Sequence, residues 1–220
     1  TSEEFTGKAL SKYPRDSYFL ATKFPIWAAE TEADLERIFN EQLQRTQAGY
    51  FDFYLLHALN AERVDKIQKL KVYEFFAQKK AEGKIRHLGF SFHDTPAVLE
   101  RICSLYEWDF AQIQLNYLDW EMQDAKGQYE VLTKHGIPVI VMEPVRGGAL
   151  AHPCDESVRI FEEAAPGKSA ASWAIRFAES LPNVQVVLSG MSTMDQIRDN
   201  VATMSDFHPL TDEERAVIEK

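Results

Sequence analysis

The sequence predicts an α/β fold of parallel strands alternating with helices, closed as a (β/α)8 TIM barrel. Three observations lead there: six short apolar runs rich in β-branched and aromatic residues, amphipathic helical segments between them, and no GxGxxG turn anywhere in the 220 residues. Continuous apolar runs are typical of strands buried on both faces of a parallel sheet. Because an open dinucleotide-binding sheet carries GxGxxG after its first strand, the lack of that turn favours the barrel.

The strand count indicates how much of a barrel these residues form. The predicted strands are Tyr18–Thr22, Phe51–Leu56, Arg86–Ser91, Ala111–Asn116, Pro138–Glu143 and Val184–Leu188. A (β/α)8 barrel needs eight strands and typically about 250 residues. We therefore expect residues 1–220 to be a single barrel domain that is incomplete at its N-terminus and lacks its first two strands. The first residue, Thr1 instead of Met, agrees with this expectation.

Capping residues and the helical spacing of apolar residues predict the helices between these strands. Thr31, with Asp34 three residues later, begins one of them. A single helix is expected to end at Gly83 and to bury Val64, Ile67, Leu70 and Phe75. A later helix, opened by Ser192, is expected to turn inward its apolar residues Met194, Ile197, Val201 and Met204.

Charge and composition argue against several classes of partner. The chain has 34 acidic and 24 basic residues, a net charge of −10, and no run of Lys or Arg longer than Lys79-Lys80. A nucleic-acid-binding protein presents a basic face, so we expect no nucleic-acid partner. No apolar run approaches the roughly 18 residues of a membrane span, no secretory signal begins the sequence, and the only cysteines are Cys103 and Cys154. We therefore expect a cytoplasmic protein without a membrane partner.

Polar residues stand where the predicted strands end, which is where a barrel gathers its active site. Lys23 follows the first strand and His57 follows the second. On adjacent strands, side chains of these two types can tune a proton donor and polarise a carbonyl group. The structural alternative for Lys23 is a side chain that extends into solvent, and the alternative for His57 is a side chain hydrogen-bonded in the core. Ser91 ends the third strand and adds a hydroxyl group.

Three amide side chains share one face of the fourth predicted strand, because side chains alternate along a strand. They belong to Gln112, Gln114 and Asn116. If that face points into the barrel, the three amides suit a neutral ligand that itself bears an amide, such as a nicotinamide. A structural layer of amides is the alternative.

Two later segments have the composition of phosphate-binding loops. Glu143 is followed by Gly147-Gly148, where a backbone without side chains can approach a phosphate closely, with a plain loop as the alternative. Gly190 and Ser192 lie in a turn before a helix N-terminus, which attracts anions through its free N–H groups and its dipole. Three polar residues further along that helix are candidates for an adenosine site or for a solvated helix face: Gln196, Asp199 and Asn200.

Together these residues resemble the aldo/keto reductase superfamily over nearly the whole chain. The segments that carry the resemblance are Leu20–Lys23, Asp52–His57, Gly83–Ser91, Gln112–Tyr117, Glu143–Gly148 and Leu188–Asn200. The chain is most similar to a microbial branch whose members often carry a C-terminal iron–sulfur domain, which residues 1–220 do not contain. The resemblance implies a (β/α)8 barrel that reduces a small-molecule aldehyde or ketone by direct hydride transfer from NADPH, with NADH as the alternative cofactor.

The resemblance also implies roles for individual residues. Of the family's four catalytic residues, Lys23 matches the lysine and His57 the histidine, while the aspartate and the tyrosine would precede Thr1. We therefore expect the 220 residues alone to be inactive. Ser91 and Gln112 match the family's contacts to the carboxamide of the cofactor.

The chain departs from the family's pattern at several positions. Met142 stands where many members have an aromatic residue that stacks on the nicotinamide, and Phe92 replaces the usual asparagine after the serine. Gly190 and Gln196 replace a common lysine and a common arginine near the 2′-phosphate. The expectation of NADPH therefore rests on members that share the glycine, serine and glutamine pattern.

Two other functions are compatible with the same residues. A Schiff-base lyase or aldolase barrel would use Lys23 as its nucleophile. A nicotinamide-binding regulatory module would bind the cofactor and act through partners without turnover.

Overall fold

The structure, a computed structural model, describes all 220 residues, Thr1–Lys220, and divides them into two compact units. The first unit is Thr1–Ala111 and the second is Gln112–Lys220. The helices of the first unit are α1 (Ser2–Leu10), α2 (Glu32–Thr46), α3 (Ala61–Lys69), α4 (Val72–Ala81) and α5 (Pro96–Leu105). Its strands are β1 (Ala21–Phe24), β2 (Phe51–Leu59) and β3 (Ile85–Phe92), followed by the start of β4 (Phe110–Gln114).

The second unit begins within β4 and contains two further strands, β5 (Val139–Met142) and β6 (Val184–Val187). Its helices are α6 (Asp119–Met122), α7 (Ala125–Lys134), α8 (Asp155–Ala164), α9 (Ala170–Glu179), α10 (Met194–Ser205) and α11 (Asp212–Ile218). Short 3₁₀ segments occur at Arg15–Ser17, Ile26–Ala28 and Arg146–Ala151. None of the helices combines the length and the apolar composition that crossing a bilayer requires.

All six strands belong to one sheet, in the chain order β1-β2-β3-β4-β5-β6. Parallel pairing joins β1 to β2, β2 to β3, and β5 to β6. Parallel strands need long crossover connections, and here helices supply them. The predicted α/β class is therefore confirmed.

Strand β1 begins at Ala21, later than the predicted range Tyr18–Thr22. Side chains engage the backbone just before it: Arg15 donates to the carbonyl of Tyr18 at 3.1 Å. The N–H of Leu20 donates to the carboxylate of Asp52 at 2.8 Å. Because these backbone groups bond to side chains, they do not join the ladder between strands. The apolar pattern located the strand, but it could not show this competition.

The single helix predicted before Gly83 is instead two helices, α3 and α4. Lys71, between them, has a φ of 51°, in the left-handed region that a continuous right-handed helix cannot contain. The break turns Phe76 into the core, where its ring centroid lies 4.7 Å from that of Tyr54. Phe75 is only half-buried, so its predicted place in the core was wrong.

Helix α10 presents its apolar face to solvent, and the prediction that this face points inward was wrong. The exposed side chains are Met194, Ile197, Val201 and Met204. The opposite, polar face lies against α9 and its surroundings. There the hydroxyl of Ser169 donates to the carboxylate of Asp199 at 2.6 Å, and the amide of Asn200 donates to Ser189 Oγ at 2.9 Å. These hydrogen bonds fix which face of α10 is covered.

Candidate functional site

The first unit places Lys23, His57 and Ser91 on three neighbouring strands. Lys23 of β1 lies opposite Leu55 of β2, and His57 comes two residues later on β2. Lys23 and His57 are both half-buried and both line an open cavity of about 530 Å³. The Nζ atom of Lys23 forms no hydrogen bond or ion pair with any residue of the chain. Burial without a partner lowers the pKa of Lys23.

The end of β2 is irregular, and this irregularity orients His57. The register between β2 and β3 shifts between Leu56 and Leu59, and Ala58 has a φ of 54°. The N–H of Ala58 donates to Ser91 Oγ at 2.8 Å. Irregular strand ends re-aim side chains next to functional sites. Because the oxygen of Ser91 accepts this bond, its hydroxyl proton stays available for a ligand.

His57 has aromatic and basic neighbours. Its ring lies 5.0 Å from the ring of Trp27, and the guanidinium of Arg63 lies 5.3 Å from the same Trp27 ring. Burial, and then the charges of Lys23, Arg63 and His93, lower the pKa of His57. A histidine with a lowered pKa is neutral at pH 7 and offers one N–H donor and one acceptor.

In the second unit, the three predicted amides do not form one layer. Gln112 is buried, and its amide nitrogen lies 3.0 Å from Met142 Sδ, which leaves its carbonyl oxygen without a partner. Gln114 and Asn116 instead donate to one oxygen of Asp119, at 2.8 Å and 2.7 Å. Of the three, Gln112 is therefore the amide that a ligand can use, while the other two have the structural role named as the alternative.

The loop after β5 has an unusual backbone. Glu143 and Arg146 have φ values of 56° and 48°, and Gly147 and Gly148 have φ values of 62° and 96°. Left-handed conformations cost about 1 kcal/mol or more for residues other than glycine, so other contacts must hold them. The carboxylate of Glu143 accepts the N–H of Gly147. In this structure that N–H is occupied by a carboxylate of the chain itself, and phosphate binding by this loop stays a prediction.

Asn116 and Asp119 anchor this loop to the end of β4. The amide of Asn116 donates to the carbonyl of Glu143 at 2.9 Å. Asp119, which is fully buried, lies 3.3 Å from Nε of Arg146. In turn, Asn116 Oδ1 accepts the N–H of Asp119 at 2.8 Å. No role was predicted for Asp119, although an asparagine at a strand end followed three residues later by an aspartate is a readable signal.

The turn between β6 and α10 holds the remaining predicted residues. Gln196 Oε1 accepts the N–H groups of Ser192 and Thr193, at 2.8 Å and 3.2 Å, and so caps the helix N-terminus itself. A side chain at the exposed Gly190 would meet no atom within 4 Å. The side chains of Asp199 and Asn200 bind Ser169 and Ser189 within the fold. The N–H groups at this turn are thus bound to an amide oxygen of the chain, and the anion site stays a prediction.

Comparison with known proteins covers the whole chain. A model of the aldo/keto reductase family matches residues 1–220. L-galactose dehydrogenase of Arabidopsis thaliana is 25% identical over 232 residues, which cover 95% of this chain and 71% of that protein. An uncharacterized oxidoreductase of Bacillus subtilis (strain 168), YqkF, is 26% identical over 243 residues, which cover 97% of this chain and 76% of the relative.

Solved structures with the same fold include the holo form of aldo-keto reductase AKR11C1 from Bacillus halodurans. Its TM-score is 0.79 at 28% identity, over 99% of this chain and 76% of that one. The thermostable aldo-keto reductase Tm1743 in complex with epalrestat has a TM-score of 0.77 at 24% identity, and the match covers 99% of this chain and 76% of that one. The predicted α/β fold of the TIM-barrel type is thereby confirmed.

Proposed function

Because the chain belongs to the aldo/keto reductase family, we propose that it reduces an aldehyde or a ketone to an alcohol by direct hydride transfer, with NADPH as cofactor and NADH as the alternative. The family and the oxidoreductase relatives support an NAD(P)H-dependent oxidoreductase. One observation carries the proposal: Lys23 and His57 are half-buried on adjacent strands, open onto the same cavity, and form no hydrogen bond to the protein through their side chains.

His57 is suited to polarise the substrate carbonyl. Burial and the charges of Lys23 and Arg63 disfavour a third positive charge on His57, so the imidazole stays neutral and donates its N–H as a hydrogen bond to the carbonyl oxygen. Lys23 retains a positive charge near that oxygen. Its charge stabilises the anionic form of a hydroxyl proton donor and so lowers the pKa of that donor.

The residues present fit a nicotinamide dinucleotide, which when bound supplies the hydride. In the first unit, Ser91 has a hydroxyl proton to donate to an amide oxygen. In the second unit, Gln112 has a carbonyl oxygen that can accept an amide N–H. The N–H of Gly147 already donates to the carboxylate of Glu143. We propose that this carboxylate leaves when a phosphate of the cofactor binds the loop.

At the adenosine end, the proposed contacts come from the turn before α10. Ser192, Gln196 and the open backbone at Gly190 supply donors to an anion, as at other helix N-termini. Asp199 and Asn200 are proposed as the polar groups nearest to the adenosine.

Replacing Lys23 by methionine in the full-length protein tests the proposal. Methionine keeps the length of the side chain and removes its charge. We expect kcat, followed by the loss of NADPH absorbance with a panel of aldehydes, to fall about 10²- to 10⁴-fold. The dissociation constant for NADPH, measured by calorimetry, should change little. Lys66→Met is the matched control, because Lys66 pairs with Glu30 at 3.0 Å and takes no part in the proposed chemistry. An unchanged kcat in Lys23→Met would remove Lys23 from the reaction.

The lowered pKa of Lys23 also favours a second candidate, in which its amine attacks the carbonyl and forms an imine with loss of water. Borohydride reduces such an imine to a stable secondary amine. If labelled aldehyde and borohydride together mark Lys23, imine chemistry is supported. NADPH oxidation without a label on Lys23 supports hydride transfer.

A further inference from the structure

Three residues of the first unit surround the Lys23–His57 pair without a role in the proposed reaction. Arg63, on α3, is half-buried and donates from Nη1 to the carbonyl of Ala58. Its Nε and Nη2 groups form no hydrogen bond with the chain, and its guanidinium lies against the half-exposed ring of Trp27. His93 follows β3, where its N–H donates to the carbonyl of Leu59 at 3.3 Å. We call Trp27, Arg63 and His93 the basic rim.

No carboxylate forms an ion pair with Lys23, His57, Arg63 or His93. The charges of Lys23 and Arg63 contribute to lowering the pKa of both His57 and His93, so both histidines lie near the two cations. The acid next in sequence, Asp94, directs its two oxygens to the N–H groups of Ala61 and Thr95, at 3.0 Å and 2.8 Å. The positive charges of Lys23 and Arg63 are costly to hold near each other where solvent is partly excluded, and an anion would offset that cost.

The contrast with the rest of the unit makes this arrangement informative. The chain carries a net charge of −10, so carboxylates are abundant. Other basic residues of the same unit use them, including Lys66 with Glu30 at 3.0 Å and Arg45 with Glu3 at 2.7 Å. Neighbouring basic groups with lowered pKa values and no carboxylate partner are candidates for a functional site.

We propose that the carbonyl substrate carries a second, negatively charged group, a carboxylate or a phosphate, which Arg63 and His93 bind beside the ring of Trp27. The inference rests on the proposed function in that the ligand is the substrate of the Lys23–His57 site. The planar guanidinium offers its free N–H groups in a fork that matches two anion oxygens. The face of Trp27 covers the apolar carbons between the anion and the carbonyl.

Calorimetric binding of matched aldehydes to the full-length protein tests the inference. The first pair is para-carboxybenzaldehyde and para-formylbenzamide, which have nearly the same shape and differ in charge. The second pair is glycolaldehyde phosphate and glycolaldehyde. We expect the anionic member of at least one pair to bind about tenfold more tightly than its neutral partner, the size of one charge-assisted hydrogen bond. The pair with the larger ratio identifies the anion as carboxylate or phosphate.

Variants of the basic rim assign the preference to its residues. Arg63→Met should reduce the ratio to about one, while the control Lys66→Met, on the same helix, should leave it unchanged. Because Arg63 also holds Ala58, His93→Gln serves as a second variant that leaves that contact intact and should lower the ratio about threefold. Unfolding midpoints show whether each variant is folded.

The outcomes separate this inference from the proposed function. Equal binding of charged and neutral members in both pairs overturns the inference, even if the enzyme turns over neutral aldehydes. A preference that survives in both Arg63→Met and His93→Gln overturns it as well. A preference that Arg63→Met abolishes supports it, whether or not NADPH is oxidised, because binding is measured without turnover.

Discussion

Asp119 is the buried carboxylate that ties the end of β4 to the loop after β5, and its replacement by asparagine should weaken stability and cofactor binding together. One carboxylate oxygen accepts hydrogen bonds from Gln114 and Asn116, at 2.8 Å and 2.7 Å. The other accepts no hydrogen bond and lies 3.3 Å from Nε of Arg146. Asparagine keeps the shape of the side chain but removes its charge. If its oxygen keeps the bonds to Gln114 and Asn116, its NH₂ group faces the guanidinium of Arg146.

The magnitude follows from the contacts that are lost. A hydrogen bond to a charged group contributes about 1.5–3 kcal/mol and one between neutral groups about 0.5–1.5 kcal/mol, so each of the two bonds to Asp119 loses about 1 kcal/mol in Asp119→Asn. Arg146 is about one-third exposed, so solvent screens its ion pair and that pair adds less than about 1 kcal/mol. We therefore expect the free energy of unfolding to fall by about 3 kcal/mol. The left-handed residues Glu143 and Arg146 also lose their support, and the dissociation constant for NADPH should rise about tenfold.

Urea unfolding followed by circular dichroism measures the first effect, and calorimetric titration with NADPH measures the second. Asp195→Asn is the matched control, because Asp195 pairs with Arg198 at 3.0 Å on an exposed helix surface. Its free energy of unfolding should change by less than about 0.5 kcal/mol. If Asp119→Asn loses less than about 1 kcal/mol, the contacts of Asp119 do not carry the stability assigned to them. If stability falls while NADPH binding is unchanged, the loop does not bind the cofactor.

Three further predictions concern packing, pH and thiol chemistry. In Gly89→Ala, the new Cβ would lie 2.5 Å from a backbone carbonyl oxygen of β4, so the free energy of unfolding should fall by about 2 kcal/mol. In the control Gly49→Ala, the new Cβ meets no atom within 4 Å, and the free energy of unfolding should change little. The pKa of His57 is below its ordinary value of 6.5, so the unfolded chain binds more protons there between the two pKa values. The free energy of unfolding should therefore fall as the pH is lowered from about 7.5 to about 5.5, and fall less in His57→Gln. Burial raises the pKa of the Cys103 thiol to about 12, whereas hydrogen bonds lower that of the exposed Cys154. Mass spectrometry after iodoacetamide treatment should find Cys154 alkylated at least about 100-fold faster; equal rates would contradict the assigned burial.

The positions of the strands were largely readable from the sequence, because each apolar run is long enough to be buried on both faces of a sheet. The same runs located Lys23 and His57, since a polar residue that interrupts such a run near the end of a strand stands out. Local capping was also readable: Thr31 and Asp34 form the predicted reciprocal cap, with hydrogen bonds of 2.9 Å from the Thr31 backbone and hydroxyl to the Asp34 carboxylate.

Contacts between distant segments were not readable in this way. Asp119 accepts a hydrogen bond from Asn116. Asn116 in turn donates to the carbonyl of Glu143, which lies 27 residues later in the chain. Arg63 and His93 come from a helix and from the end of a strand, so nothing in their spacing indicates that they share the surroundings of His57. Residues that work through such contacts become visible only when the backbone has been placed.

Helix α10 shows why the period of a hydrophobic pattern does not by itself decide burial. The spacing of Met194, Ile197, Val201 and Met204 correctly places them on one face of a helix. The structure covers the other face, because Asp199 and Asn200 find hydroxyl partners at 2.6 Å and 2.9 Å, and Thr203 is buried beside them. Polar groups that are held in good hydrogen bonds can be buried at little net cost, so both faces of such a helix are candidates for packing. The hydrogen-bond partners available to the polar face therefore decide, together with the apolar pattern, which face of such a helix is covered.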